Sequence, residues 1–401
     1  MGLLSWIKPP TTRSNIVNID ASLGNVLITG GSKKGIETLI KNYAIDSLNR
    51  NYGLVIFRDQ NTGINSYPSI VSSGRSIYEI DCTDNCTTEQ LDILAGLNDN
   101  DTNAMIIKLF DSYNEIEKSK KMTYLNYIAL MRNLLKKAGK TVKINELVDY
   151  PIEEVENLNL RYCANNPMEQ SRNDRFLNSI RTDITNLESY FYDFSQNVLG
   201  YVFSGNRTID MALRTKSVIE ISLDFTRKPD ESKIIMATVI EAINKCNLNV
   251  SGKQSINVIV DGVPNEILIE SGLQKLIKGG KGYNALYTVQ DISNLIESSN
   301  EWIDYANSYF FFRQNSNKNK EFCSEFFGTY EKEKVTHNQG KTSASFWDRV
   351  SGRGGTSYNG GTSVTYEKER VYLPDVFASL PDNQAIYYLK DSNEHNKLNV
   401  Y

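Results

Sequence analysis

Short apolar runs, each closing on a glycine or a polar residue, alternate with helical periodicity at both ends of the chain. The first is Asn25-Val26-Leu27-Ile28-Thr29-Gly30. Its unbroken apolar character predicts a strand buried on both faces, as in a parallel sheet. A helix is predicted over residues 35–49, then a second and a third buried strand over 53–57 and 76–80. The same texture returns later, with strands at 217–223, 255–261, 285–290 and 308–313 and an amphipathic helix at 233–246. Strands that alternate with helices predict an α/β fold with a mainly parallel sheet.

Between Thr87 and Leu199 helical periodicity dominates, notably over 124–138 and 173–194, punctuated by Pro151 and Pro167. This predicts an all-helical subdomain, residues 87–199, inserted into an α/β domain built from 20–86 and 200–401, with 1–19 as an N-terminal arm. Residues 338–365 are rich in Gly, Ser, Thr and Asn and read as a mobile loop or linker. No internal repeat is visible.

Composition narrows the picture only a little. The chain has 401 residues, ample for a large core, and its net charge of −4 gives no global basic field for nucleic acid. Cys82, Cys86, Cys163, Cys246 and Cys323 are odd in number and irregularly spaced, which fits reduced thiols in a cytoplasmic protein. No second Cys or His pair joins Cys82 and Cys86 to complete a tetrahedral metal site, and His337 and His395 lie in polar surroundings. No apolar run approaches the ~20 residues that span a bilayer. The N-terminal segment is apolar at Leu3, Leu4, Trp6 and Ile7 but stops at Pro9-Pro10, and it reads as an arm that packs on a neighbour.

The candidate chemistry sits in the first loop. Gly30-Gly31-Ser32-Lys33-Lys34-Gly35-Ile36-Glu37-Thr38 follows a strand and opens a helix, the order a phosphate-binding loop requires. Its two glycines are correctly spaced. Ile36, however, stands where a lysine neutralises the β/γ-phosphates, and Glu37 where a hydroxyl holds magnesium. The expectation is a carboxylate where phosphate oxygens would lie, with Lys33 or Lys34 as the remaining candidate cation. The competing reading is a plain strand–turn–helix with no ligand. Asp261 ends an apolar strand and is the candidate magnesium carboxylate, but Gly262 follows it instead of a catalytic glutamate, and Glu266 lies four residues on. Lys341, Arg349 and Arg353, near Phe346 and Trp347, are candidate DNA contacts by charge and stacking.

Taken in order, these landmarks resemble the type IV secretion coupling proteins, the TraG/TraD-like conjugation ATPases of the FtsK–HerA superfamily. The resemblance spans residues 20–392. It rests on the loop from Gly30 to Thr38, on Gly74-Arg75-Ser76-Ile77-Tyr78-Glu79-Ile80, on Leu213-Arg214-Thr215-Lys216 before a strand, and on the Asp261 strand. It rests further on Tyr283 to Leu295, on Phe326-Phe327-Gly328-Thr329-Tyr330, and on Glu369 to Phe377 with Leu380-Pro381. It implies a RecA-like P-loop core and a γ-phosphate sensor role for Gln290. The chain departs from the family in lacking transmembrane helices and in carrying Lys278-Gly279-Gly280-Lys281 where an arginine reaches the neighbouring subunit.

The resemblance and the altered loop together lead to a non-hydrolysing component that docks or assembles in a conjugation or secretion apparatus. The alternatives are an active DNA-translocating ATPase with substitute residues and a regulatory nucleotide binder without turnover. In the first case no cofactor is required; in the others ATP and magnesium are expected, with Asp261 on the metal. The implied partners are secretion or conjugation proteins, DNA, and further copies in a ring that forms alone or with a partner. The implied location is cytoplasmic, reaching the membrane through partners.

Overall fold

The computed structural model describes residues 23–31, 33–60, 75–82, 89–141, 143–209, 217–245, 256–279, 282–298, 301–342 and 357–400. Its centre is the sheet that the apolar runs predict. β1 (Val26–Thr29) leads through a tight loop into α1 (Lys33–Asn49), followed by β2 (Gly53–Asp59) and β3 (Ile77–Asp81). After a two-residue strand β4 (Leu91–Asp92) come α2 (Asp99–Asn114), α3 (Lys118–Lys137), α4 (Ile152–Tyr162), α5 (Pro167–Ser195) and α6 (Val198–Val202). β5 (Arg207–Thr208) pairs with β4, and the chain returns to the sheet with β6 (Val218–Leu223), α7 (Pro229–Lys245) and β7 (Ile256–Asp261). α8 (Asn265–Glu270), α9 (Leu273–Gly279), β8 (Tyr283–Val289), α10 (Ile292–Ser298), α11 (Glu301–Asp304), β9 (Ser308–Phe311) and α12 (Asn317–Phe327) follow.

The sheet has nine strands. Its order is β13-β12-β9-β1-β8-β7-β2-β6-β3, where β12 (Gln384–Leu389) and β13 (Glu394–Asn399) form a C-terminal hairpin. The seven strands from β9 to β3 are parallel, and only the hairpin runs antiparallel. Strands from before and after the helical stretch therefore interleave. β1, β2, β6 and β7 are buried along their whole length except for one half-buried residue, Arg58, which explains their mainly apolar sequences. Each fully buried Val, Leu, Ile or Phe contributes about 1.5–3 kcal/mol relative to exposure. α1 covers one sheet face, packing Leu39, Ile40, Tyr43 and Ala44 over Val26, Ile28, Leu54 and Ile56. On the other face a single buried cluster runs from Phe57 and Ile221 through Val239 of α7 into Phe110, Met131, Leu187 and Phe194 of the helices.

Asn25 fixes β1 between its neighbours. Its side-chain amide donates to the Tyr305 carbonyl at 3.1 Å, and its Oδ1 accepts the Ala285 N–H at 3.0 Å.

The Gly/Ser-rich segment corrects the sequence expectation. Residues 338–342 and 357–365 are strand, not linker: they belong to β10 (Thr329–Thr342) and β11 (Ser357–Arg370), paired antiparallel over fourteen positions each in a separate two-stranded ribbon. Fourteen extended residues reach about 45 Å. The ribbon starts where Gly328, at φ 71°, ends α12, and the Val371 N–H closes its base on the Gly328 carbonyl. A composition that favours turns was overridden by long-range strand pairing. α13 (Pro374–Ala378) then leads into the hairpin.

Candidate functional site

The carboxyl ends of β1, β7, β8 and β9 meet around a cleft of about 440 Å³. This is where open parallel sheets bind ligands. Gly30, Gly31, Lys33, Ile36, Asp261 and Gln290 line it. β8 lies between the loop strand β1 and the Asp261 strand β7.

The loop is tighter than its spacing alone indicates. α1 begins at Lys33, so two of the four residues between the motif glycines are already helical. The Gly31 N–H donates to the Arg313 carbonyl at 2.9 Å, so it does not face a phosphate. Gly30 has φ 121°, and a Cβ there would come within 2.8 Å of that same carbonyl. A Cβ on Gly35 would meet the Phe312 ring at 2.5 Å and the Asp382 carbonyl at 2.7 Å. Both motif glycines are thus required by packing against the chain that leaves β9.

The early helix start also turns side chains away from the cleft. Ile36 lines it, but Glu37 does not and is exposed. This corrects the expectation of a carboxylate at the phosphate oxygens. The Thr38 hydroxyl donates to the Lys34 carbonyl at 3.0 Å, one helical turn back, and lies outside the lining. Lys34 is likewise outside it, and of the two loop lysines only Lys33 reaches the cleft.

Asp261 is buried, with 6% exposure, at the end of β7. Thr288 Oγ1 donates to its Oδ1 at 3.2 Å and accepts the Gly262 N–H at 2.9 Å, so the threonine on β8 orients the carboxylate. Gly262 has φ 73°, the left-handed turn that carries the chain off the strand. Gln290 is exposed at the end of β8. Asp291 caps α10, its carboxylate accepting the Ser293 hydroxyl at 2.7 Å and the Asn294 N–H at 3.2 Å.

Sequence reasoning missed the wall formed after β9. Arg313, Gln314, Asn315, Ser316 and Asn319 all line the cleft. The Arg313 guanidinium is held by the Leu380 carbonyl at 2.8 Å and by Asp382. Gln314 is buried and donates from Nε2 to the Phe312 carbonyl at 3.1 Å. Ser316 caps α12 by accepting the Asn319 N–H. The available signal was position alone, since in a parallel sheet the residues just past a strand beside β1 must border the same edge.

Lys33 and Arg313 on the lining are matched by Asp261 and Asp291, so these side chains give no net charge to offset a triphosphate. The residues present do not fit a magnesium–nucleotide complex in the usual way. One buried carboxylate remains, the loop hydroxyl is replaced by Glu37, and a hydrocarbon stands in place of the lysine.

The remaining candidates separate. Lys341 sits in β10 opposite Tyr358. Ser32, Arg349, Arg353, Lys281, residues 213–216 and the arm 1–19 lie outside the described residues. Among the described residues Cys82, Cys163 and Cys323 are free and buried, burial pushes the Cys82 and Cys323 thiols up, and no group of His, Cys, Asp or Glu is placed to hold a metal. No described helix is long and apolar enough to cross a membrane.

Comparison with solved structures places the fold. The plasmid coupling protein TrwB in complex with a non-hydrolysable ATP analogue matches at 15% identity and TM-score 0.56, covering 98% of this chain and 90% of that one. The bacterial conjugative coupling protein TrwBdeltaN70 in its unbound form matches at 14% identity and TM-score 0.55, covering 94% and 85%. VirB4 of Thermoanaerobacter pseudethanolicus matches at 11% identity and TM-score 0.52, covering 94% and 89%. No protein-family model matches the chain, and no curated protein matches it. The chain has the α/β P-loop ATPase fold of the conjugative coupling proteins.

Proposed function

We propose that this protein is a non-hydrolysing member of the coupling-protein fold that docks or assembles within a conjugative DNA transfer or type IV secretion-like apparatus. The observation that carries the reading is the closed loop: α1 starts at Lys33 and the Gly31 N–H is bonded to Arg313. A phosphate loop works by presenting free N–H groups and a lysine to the anion. Here one N–H is committed and Ile36 fills the lysine position. The same fold in proteins named for conjugation and coupling supports the apparatus.

A second reading is favoured by the cleft itself. Asp261 is oriented by Thr288, and Gln290 stands at the rim of an open volume of about 440 Å³. That geometry supports a nucleotide bound without turnover. Lys33 is then the cation for it, and Asp261 the carboxylate nearest any metal.

Phosphate release and thermal shift with ATP and magnesium decide between them. The first reading expects neither turnover nor a shift. A shift without phosphate release selects the second. Magnesium-dependent release abolished by Asp261→Ala defeats both and restores a working ATPase.

A further inference from the structure

A second cavity, of about 670 Å³, lies away from the sheet edge, between the residues after β4, the start of α2 and the end of α3. Its volume is in the range of small-ligand pockets. Arg132, Lys136 and Lys140 line one wall at intervals of four, so one side of α3 and its extension carries all three cations. From Leu130 to Lys143 the sequence has five cations and no acid.

The charge is not closed internally. Asp99 is one carboxylate serving two cations: Arg132 at 3.4 Å and Lys136 at 3.2 Å. The Arg132 guanidinium is positioned rather than free, donating to the Asn103 Oδ1 at 2.6 Å and to the Asp99 carbonyl at 3.2 Å. Asn103, with 8% exposure, is itself locked in the cavity wall. Burial lowers the pKa of Arg132, and Asp99 beside it raises it. Across the cavity Asp92 accepts the Leu94 and Ala95 N–H groups, and burial raises its pKa while those bonds and Lys143 lower it. Lys140 adds a third cation, lying over the Tyr150 ring. Leu94, Leu97 and Ala129 supply an apolar surface beside the cations.

We propose that this cavity binds a small phosphorylated ligand of the mononucleotide class, with its phosphate on Arg132, Lys136 and Lys140 and its ring against Leu94, Leu97 and Ala129. The cations give orientation and the apolar wall gives area, as in most small-molecule sites. The proposal does not depend on the state of the sheet-edge cleft.

Titration calorimetry on the full chain tests it with AMP, adenosine and a single-stranded oligonucleotide as probes. AMP is expected to bind at least about tenfold more tightly than adenosine, because only AMP meets the cations. Lys136→Glu combined with Lys140→Glu reverses two charges at exposed positions, Lys136 being 74% exposed, and is expected to weaken AMP at least about tenfold. Lys136→Gln with Lys140→Gln, a milder change, serves if the first variant does not fold. Equal affinity for adenosine and AMP, no AMP binding at about 5 mM, or unaltered affinity in the charge variants overturns the proposal. So does binding of the oligonucleotide alone.

Discussion

Gly35 shows how a residue that reads as ligand chemistry serves packing. It is buried in the first turn of α1, where a Cβ would press on the Phe312 ring and the Asp382 carbonyl. Helix propensity alone predicts that Gly35→Ala stabilises α1 by up to ~1 kcal/mol. The contact predicts the reverse, because overpacking a tight site costs about 1–3 kcal/mol. A urea melt is expected to show a net loss, and a net gain would mean that α1 stands further from β9. Glu37 makes the complementary point. Its carboxylate stands two residues after the motif glycine, yet the early helix start leaves it exposed and outside the cleft. The missing lysine and hydroxyl were legible in the sequence. The direction in which Ile36, Glu37 and Thr38 point was not, because it depends on where the helix begins, and helix starts are set by caps and tertiary contact.

At the scale of elements, Arg58 on β2 and Glu220 on the adjacent strand β6 form an ion pair at 17% and 7% exposure. Burial raises the Glu220 pKa, Arg58 lowers it, and Glu79 raises it again, with burial the largest cause. Arg58→Met strands a buried carboxylate and is expected to cost about 3–5 kcal/mol at neutral pH. The sign with pH follows from linkage. A folded-state pKa above the unfolded value means that the native state binds the proton more tightly, so stability falls as pH rises through that window. Removing Arg58 raises the folded pKa further. The variant is therefore expected to recover stability on acidification relative to the parent, and denaturant melts at pH 5 and pH 8 would check this. A constant difference at both pH values would place the cost in packing instead. Elements with a strong pattern were legible: the buried strands β1, β2, β6 and β7 announce themselves by mainly apolar sequences. The ribbon was not, because Gly340, Gly360 and Gly361 carry turn-like local preference while strand pairing is a non-local choice. The cleft wall at Arg313 to Asn319 was hidden for a related reason, since a residue type alone does not reveal which strand it follows in space.

For the whole molecule, the proposed loss of nucleotide chemistry bears on assembly. A ligand that bridges two subunits stabilises their contact by mass action, and without it the contact depends on protein surface alone. Sedimentation velocity is expected to show the same species with and without ATP and magnesium, and a larger species that appears only with nucleotide would refute the first reading, in which the cleft does not respond to nucleotide. The sheet order carries a different consequence, one of time. β1 pairs with β8 and β9, where Val26 stands beside Leu286 and Ser308, positions 260 and 282 residues later in the chain. At roughly 5–20 residues per second, a ribosome needs about 13–50 s after making β1 to supply β8. During that interval the nascent chain holds Val26-Leu27-Ile28 without either lateral partner. The strand that carries the loop thus leaves the ribosome well before both of its sheet neighbours, so its apolar edges wait through that interval for the partners that cover them.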